Sequence, residues 1–176
     1  MSNFELVIWD DECDKVTFYT VKEEGAALTE TDKFFDKYSR MTKFEGAAQQ
    51  LLGFIRDSIG EDHGAIDDFF NRVEDEVTGL PPHGRVALET VDFHFPKFPL
   101  RLYALRVNNR ADLVVLFNGG IKSARTIHES GDLSMKFLEA KAYARKIEQS
   151  LRGGSIEIDL ANRKLISFDG SNEIVL

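Results

Sequence analysis

Leu100-Arg101-Leu102-Tyr103-Ala104-Leu105-Arg106-Val107, Asn108-Asn109-Arg110-Ala111-Asp112, Leu113-Val114-Val115-Leu116-Phe117-Asn118-Gly119-Gly120-Ile121-Lys122: this stretch decides the fold. Its two apolar runs are rich in residues that suit a pleated strand, and the segment between them is made of turn formers. The stretch predicts an antiparallel hairpin. Val114 to Phe117 is apolar without interruption, which predicts a central strand covered on both faces. Asn118-Gly119-Gly120 is expected to end that strand with a bend or bulge.

The same grammar extends both ways along the chain. Upstream, Phe4–Trp9 and Lys15–Val21 flank the acidic Asp10-Asp11-Glu12-Cys13-Asp14 and predict an N-terminal hairpin. Thr29-Glu30-Thr31-Asp32 is a helix start, because a hydroxyl there can accept from free backbone N–H groups. A second helix is expected from about Phe44 to Ile59, ended by Gly60. A third is expected to carry Ile66, Phe69, Phe70, Val73 and Val77 on one face. Arg85 to His94 reads as one strand. Downstream, a helix is predicted from near Asp132, with Leu133, Phe137, Ala140, Ala144, Ile147 and Leu151 buried and Gly153 as its cap. Ser155–Leu160 and Lys164–Phe168 predict a last hairpin. The expected class is α+β: helices packed on a twisted, mainly antiparallel sheet. One domain over 1–176 suits 176 residues, with a subdivision into 1–80 and 83–176 left open by the breaker Gly79-Leu80-Pro81-Pro82.

Composition narrows the function classes. Cys13 is the single cysteine, which excludes an internal disulfide framework and a cysteine-rich zinc site. Asp92 and His94 share a strand face but supply only two ligands, fewer than a catalytic zinc needs. Asp10, Glu12 and Asp14 alternate as in a calcium loop, without that loop's glycine and closing glutamate. Phosphate-loop, nucleophile-elbow and dinucleotide-binding motifs are missing. No metal or cofactor is therefore expected. No apolar run is long enough for a membrane span, and Met1-Ser2-Asn3-Phe4-Glu5 does not read as a secretory leader, so the expected location is the cytoplasm.

The net charge of -8 argues against a generic nucleic-acid coat, yet it is unevenly spread. Residues 1–96 carry 21 acidic and 9 basic side chains; residues 97–176 carry 9 and 13. Arg101, Tyr103, Arg106, Arg110, Lys122, Arg125 and His128 fall close together within that second part. Cations converging at one end of a hairpin could hold a phosphodiester and offset the charge that develops on its cleavage. In that reading Arg101, Arg106 and Lys122 hold phosphate or offset the transition-state charge, and Tyr103 positions the RNA by stacking a base or serves as a proton-transfer group. His128 is the acid/base candidate, and Arg110 and Arg125 add RNA contacts.

The Arg-bearing strand 100–106, the apolar strand ending in Gly120 and Lys122, and the helix with Glu139-Ala140 resemble the C-terminal half of RelE/HigB-like toxins, over about residues 97–151. The matching positions are Arg101, Tyr103, Arg106 and Lys122. The resemblance implies a RelE-like sheet with an extra N-terminal hairpin and helical segment. It also implies a toxin of a toxin–antitoxin pair, with an antitoxin protein and RNA or the ribosome as partners, acting as a metal-independent ribonuclease on messenger RNA. A non-catalytic protein-interaction module, or a mobile-element protein of unknown activity on the same fold, stays open beside it.

Overall fold

The structure, a computed structural model, describes residues 2–122 and 127–176. It is α+β. Strands β1 (Phe4–Asp10) and β2 (Thr17–Glu23) form the expected antiparallel hairpin. Helix α1 (Glu30–Ser39) begins as its sequence predicts, with the Thr29 hydroxyl accepting from the Asp32 N–H at 3.1 Å.

Helix α2 (Glu45–Gly53) follows, and the chain then widens into a π-helical segment, Phe54–His63, instead of continuing as α-helix. Gly60 does not end it. Gly60 instead allows close packing, because a Cβ there would lie 2.6 Å from Cys13 Sγ. Gly64, at φ 82, provides the terminus.

The expected third helix is not formed. Ile66 starts a single turn, in which its carbonyl accepts from the Phe69 and Phe70 N–H groups. The chain then runs into a tight hairpin of β3 (Val73–Glu74) and β4 (Val77–Leu80). Asp75 takes φ 56 in the turn, a backbone state that aspartate tolerates better than most residues. Phe69 and Phe70 are buried, so the helical periodicity reflected one turn plus a strand. Arg85 to His94 is likewise a hairpin rather than one strand, β5 (Arg85–Leu88) against β6 (Val91–His94).

Strands β7 (Leu100–Arg106) and β8 (Leu113–Ile121) pair antiparallel, around a 3-10 turn at Val107–Asn109. Strand β8 runs through Gly119 and Gly120 rather than ending at Asn118, and its register with β7 shifts between Leu102 and Ala104. A Cβ at Gly119 would sit 1.8 Å from the Arg101 carbonyl oxygen, so this approach of two backbones requires glycine. Helix α3 (Ile127–Gly153) starts ahead of the expected Asp132, and Gly154 at φ 83, not Gly153, takes the left-handed position after it. A final hairpin, β9 (Ile156–Asp159) with β10 (Lys164–Ser167), precedes β11 (Ile174–Val175).

Seven strands form one sheet in the order β11-β1-β2-β8-β7-β4-β3. The β2–β8 pair is parallel and the other neighbours are antiparallel. The sheet takes strands from both sides of Pro81-Pro82. Two cores cover its faces. On one, Phe18, Leu102, Val114 and Leu116 pack with Phe34, Leu51, Ile55 and Phe69. On the other, Tyr19, Tyr103, Val115 and Phe117 pack with Ala140, Tyr143, Ala144 and Ile147 of α3. Val114 to Phe117 is buried on both faces, as the apolar run predicts. No helix among the described residues is long and apolar enough to cross a membrane.

Candidate functional site: a cationic cradle at one end of β7

Alternation along β7 settles which basic residues can meet. Leu100, Leu102 and Ala104 face the α1/α2 core, whereas Tyr103 and Leu105 face the α3 core. Arg101 shares the parity of Tyr103. Arg106 has the other parity and turns to the opposite side, over the Phe70 ring at 5.2 Å. It donates to Asp67 at 2.6 Å and to the Ala65 carbonyl at 3.2 Å. Arg110 is engaged next to the 3-10 turn, donating twice to Asp112 at 2.8 and 2.7 Å. These two arginines anchor loops and do not join Arg101. Arg125 lies outside the described residues, as does the side chain of His128.

The Arg101 end differs. Pairing of β4 with β7 sets Gly79 opposite Tyr103. A Cβ on Gly79 would lie 2.9 Å from Arg101 Cδ and 3.0 Å from Arg72 Cδ, so the two arginine stems meet over one glycine. Arg72 is steadied by its Nε donating to the Pro81 carbonyl at 3.3 Å. Lys122 follows β8, its backbone N–H donating to the Pro99 carbonyl at 2.7 Å, and its side chain is exposed. The surrounding protein lowers its pKa, and the Arg72 and Arg101 charges lower it further. Arg72 is itself shifted down by burial and by Arg101. Three like charges held together in this way favour an anion among them.

Two carboxylates border the cradle: Glu74, with an oxygen 3.5 Å from an Arg101 guanidinium nitrogen, and Asp132, whose Oδ2 lies 3.1 Å from the place a Cβ on Gly120 would take. Tyr103 belongs to the wall rather than to the reacting surface. It is 2% exposed, and burial raises its pKa, with the Glu74 charge adding to the rise. Its ring lies 5.4 Å from that of Phe137 on α3. Helix α3 reaches this point because Gly120 lets it cross β8 closely, with Leu133 Cα 3.5 Å from the place a Cβ would take.

The family and structure comparisons do not extend this picture. No family model, curated protein or solved structure matches the chain. The site therefore stands on its own geometry. Among the described residues, no group of three or more His, Cys, Asp and Glu side chains is arranged to hold a metal ion.

Sequence reasoning found Arg101, Tyr103 and Lys122 but missed Arg72, Glu74 and Gly79. Glu74-Asp75-Glu76 between Val73 and Val77 was the available signal, since polar turn residues flanked by β-branched ones suit a hairpin. The helical reading of 66–77 concealed it.

Proposed function

We propose that this chain is a toxin-like RNA-binding protein of the cytoplasm, with RelE-like use of β7, β8 and α3, that holds the backbone of messenger RNA on Arg72, Arg101 and Lys122. The observation that carries the reading is the meeting of Arg72 and Arg101 over Gly79, at the end of the β7–β8 pair that Lys122 follows. Guanidinium groups bind phosphate oxygens in pairs, and clustered cations position a nucleic-acid backbone. The cluster also suits the charge that builds up on a cleaved phosphodiester. Tyr103 positions Arg101 and closes the wall; its buried, upshifted hydroxyl does not support a proton-transfer role.

A non-catalytic protein-interaction module is the second reading. Met135 and Leu138, one helical turn apart on α3, are 55% and 53% exposed and favour it.

Controlled induction in cells tests the first reading. The native chain should arrest protein synthesis, and a folded Arg72→Gln/Lys122→Gln variant should not. Continued synthesis at high native expression, or equal arrest by both chains, contradicts it.

A further inference from the structure

Beside the cradle lies a groove of about 420 Å³ lined by Glu74, Asp75, Tyr103, Leu133, Ser134 and Phe137. We propose that this groove takes the base of the nucleotide whose phosphate rests on Arg72, Arg101 and Lys122, and that guanine is the base it favours. The inference rests on the RNA-binding reading and goes beyond it by assigning a base subsite.

The size falls in the range of clefts that bind small molecules, about 300–1,000 Å³. The two subsites are contiguous. Tyr103 lies on the same strand face as Arg101, two residues on, and Glu74 both lines the groove and contacts Arg101. A phosphate on the cradle therefore places its own nucleoside at the groove mouth. One part of the lining is apolar, Leu133 and Phe137 with the buried Tyr103 behind them, and offers a flat ring a surface that excludes water.

The acidic part of the lining is Glu74, the last residue of β3, and Asp75 in the turn that follows. Asp75 is held by Lys141 at 3.0 Å, while the contact of Glu74 with Arg101 is a long one, at 3.5 Å. Glu74 is 37% exposed at its side chain and retains acceptor capacity, because a carboxylate offers about four lone-pair sites. Guanine presents N1–H and the N2 amino group side by side, the pattern a carboxylate accepts with both oxygens. Uracil offers one N–H between two carbonyls, which a carboxylate repels. Adenine and cytosine each set an acceptor beside their amino group. The carboxylates that line the groove are each met by a cation, Asp75 by Lys141 at 3.0 Å and Glu74 by Arg101 at 3.5 Å.

Fluorescence anisotropy with labelled RNA pentamers tests the proposal on the full chain. The probes are a uridine pentamer and the same pentamer with one central guanosine. The guanosine probe should bind about tenfold tighter, in line with roughly 1–3 kcal/mol for a good bidentate base contact. Glu74→Gln should erase that margin. Ser134→Trp fills the groove from an exposed position without touching Arg101 and should erase it too. Equal binding of the two probes to the native chain overturns the base subsite while leaving backbone binding intact. A guanosine margin that survives both variants overturns it as well. No binding of either probe at low salt would overturn the RNA-binding reading itself.

Discussion

The two ends of β7 carry the same residue type and put it to different use. Arg106 and Arg101 are about equally buried, at 14% and 12% exposed, but at one end Arg106 lies over Phe70 and has Asp67 at 2.6 Å; beyond the strand, Arg110 is gripped by Asp112. At the other end Arg101 meets Arg72 over Gly79, where Lys122 follows β8, and among the described residues its carboxylate contact is the long one to Glu74, at 3.5 Å. A basic stretch in a sequence is therefore not yet a site. What separates an anchor from an anion-binding group is whether the fold supplies a close carboxylate or another cation.

The comparison can be broken most forcefully at Gly119. Its missing Cβ would overlap the Arg101 carbonyl, and backbone cannot yield there as a side chain can. Gly119→Ala should destabilise the fold by about 3 kcal/mol, the upper part of the range for overpacking, read as a lowered midpoint in urea unfolding. An unchanged midpoint would show that the β7–β8 bulge does not hold Arg101 in place.

Arg106→Gln probes the anchoring end. It removes two hydrogen bonds and a cation–ring contact, so a loss of about 2 kcal/mol is expected, with RNA affinity nearly unchanged. Gly79→Ala probes the cradle in the opposite sense. The atoms in its way are side-chain carbons of Arg72 and Arg101 rather than backbone, so the fold should survive while the two arginines are pushed apart. A loss of about fivefold in RNA affinity is expected, equivalent to roughly 1 kcal/mol.

The smallest effect concerns pH. The Arg110 hydrogen bond and charge hold the Asp112 carboxyl below its usual range. A carboxyl depressed in the folded state contributes stability above its unfolded pKa, about 3.9, and that contribution fades as pH falls through the folded value. The native chain should therefore exceed Arg110→Gln by about 1 kcal/mol or less at pH 7. The difference should close in strong acid. A gap that persists in urea titrations there would mean Arg110 acts by packing rather than by charge.

Much of this contrast was legible in the residues. The 100–121 hairpin, the Thr29 cap and the C-terminal hairpin declare themselves through local alternation and turn chemistry. So does the separation of Arg101 from Arg106: five residues apart on a strand, they must face opposite ways. Grouping them as one cluster set proximity in sequence above strand parity. Arg72 was hidden for a different reason. It reaches the cradle only because β4 pairs with β7, a long-range event that no local pattern encodes. The π-helical segment was hidden because Ile55 and Ile59 also fit an α-helical stripe.

The most direct test compares two variants that each lose two positive charges, Arg72→Gln/Lys122→Gln and Arg106→Gln/Arg110→Gln. Affinity for a labelled single-stranded RNA is measured for both beside the native chain, with folding confirmed by circular dichroism. Because the net charge changes equally, any non-specific electrostatic loss is the same in both. The account predicts a loss of about tenfold or more, with a shallower salt dependence, for the first pair only. Equal losses for the two pairs would contradict it.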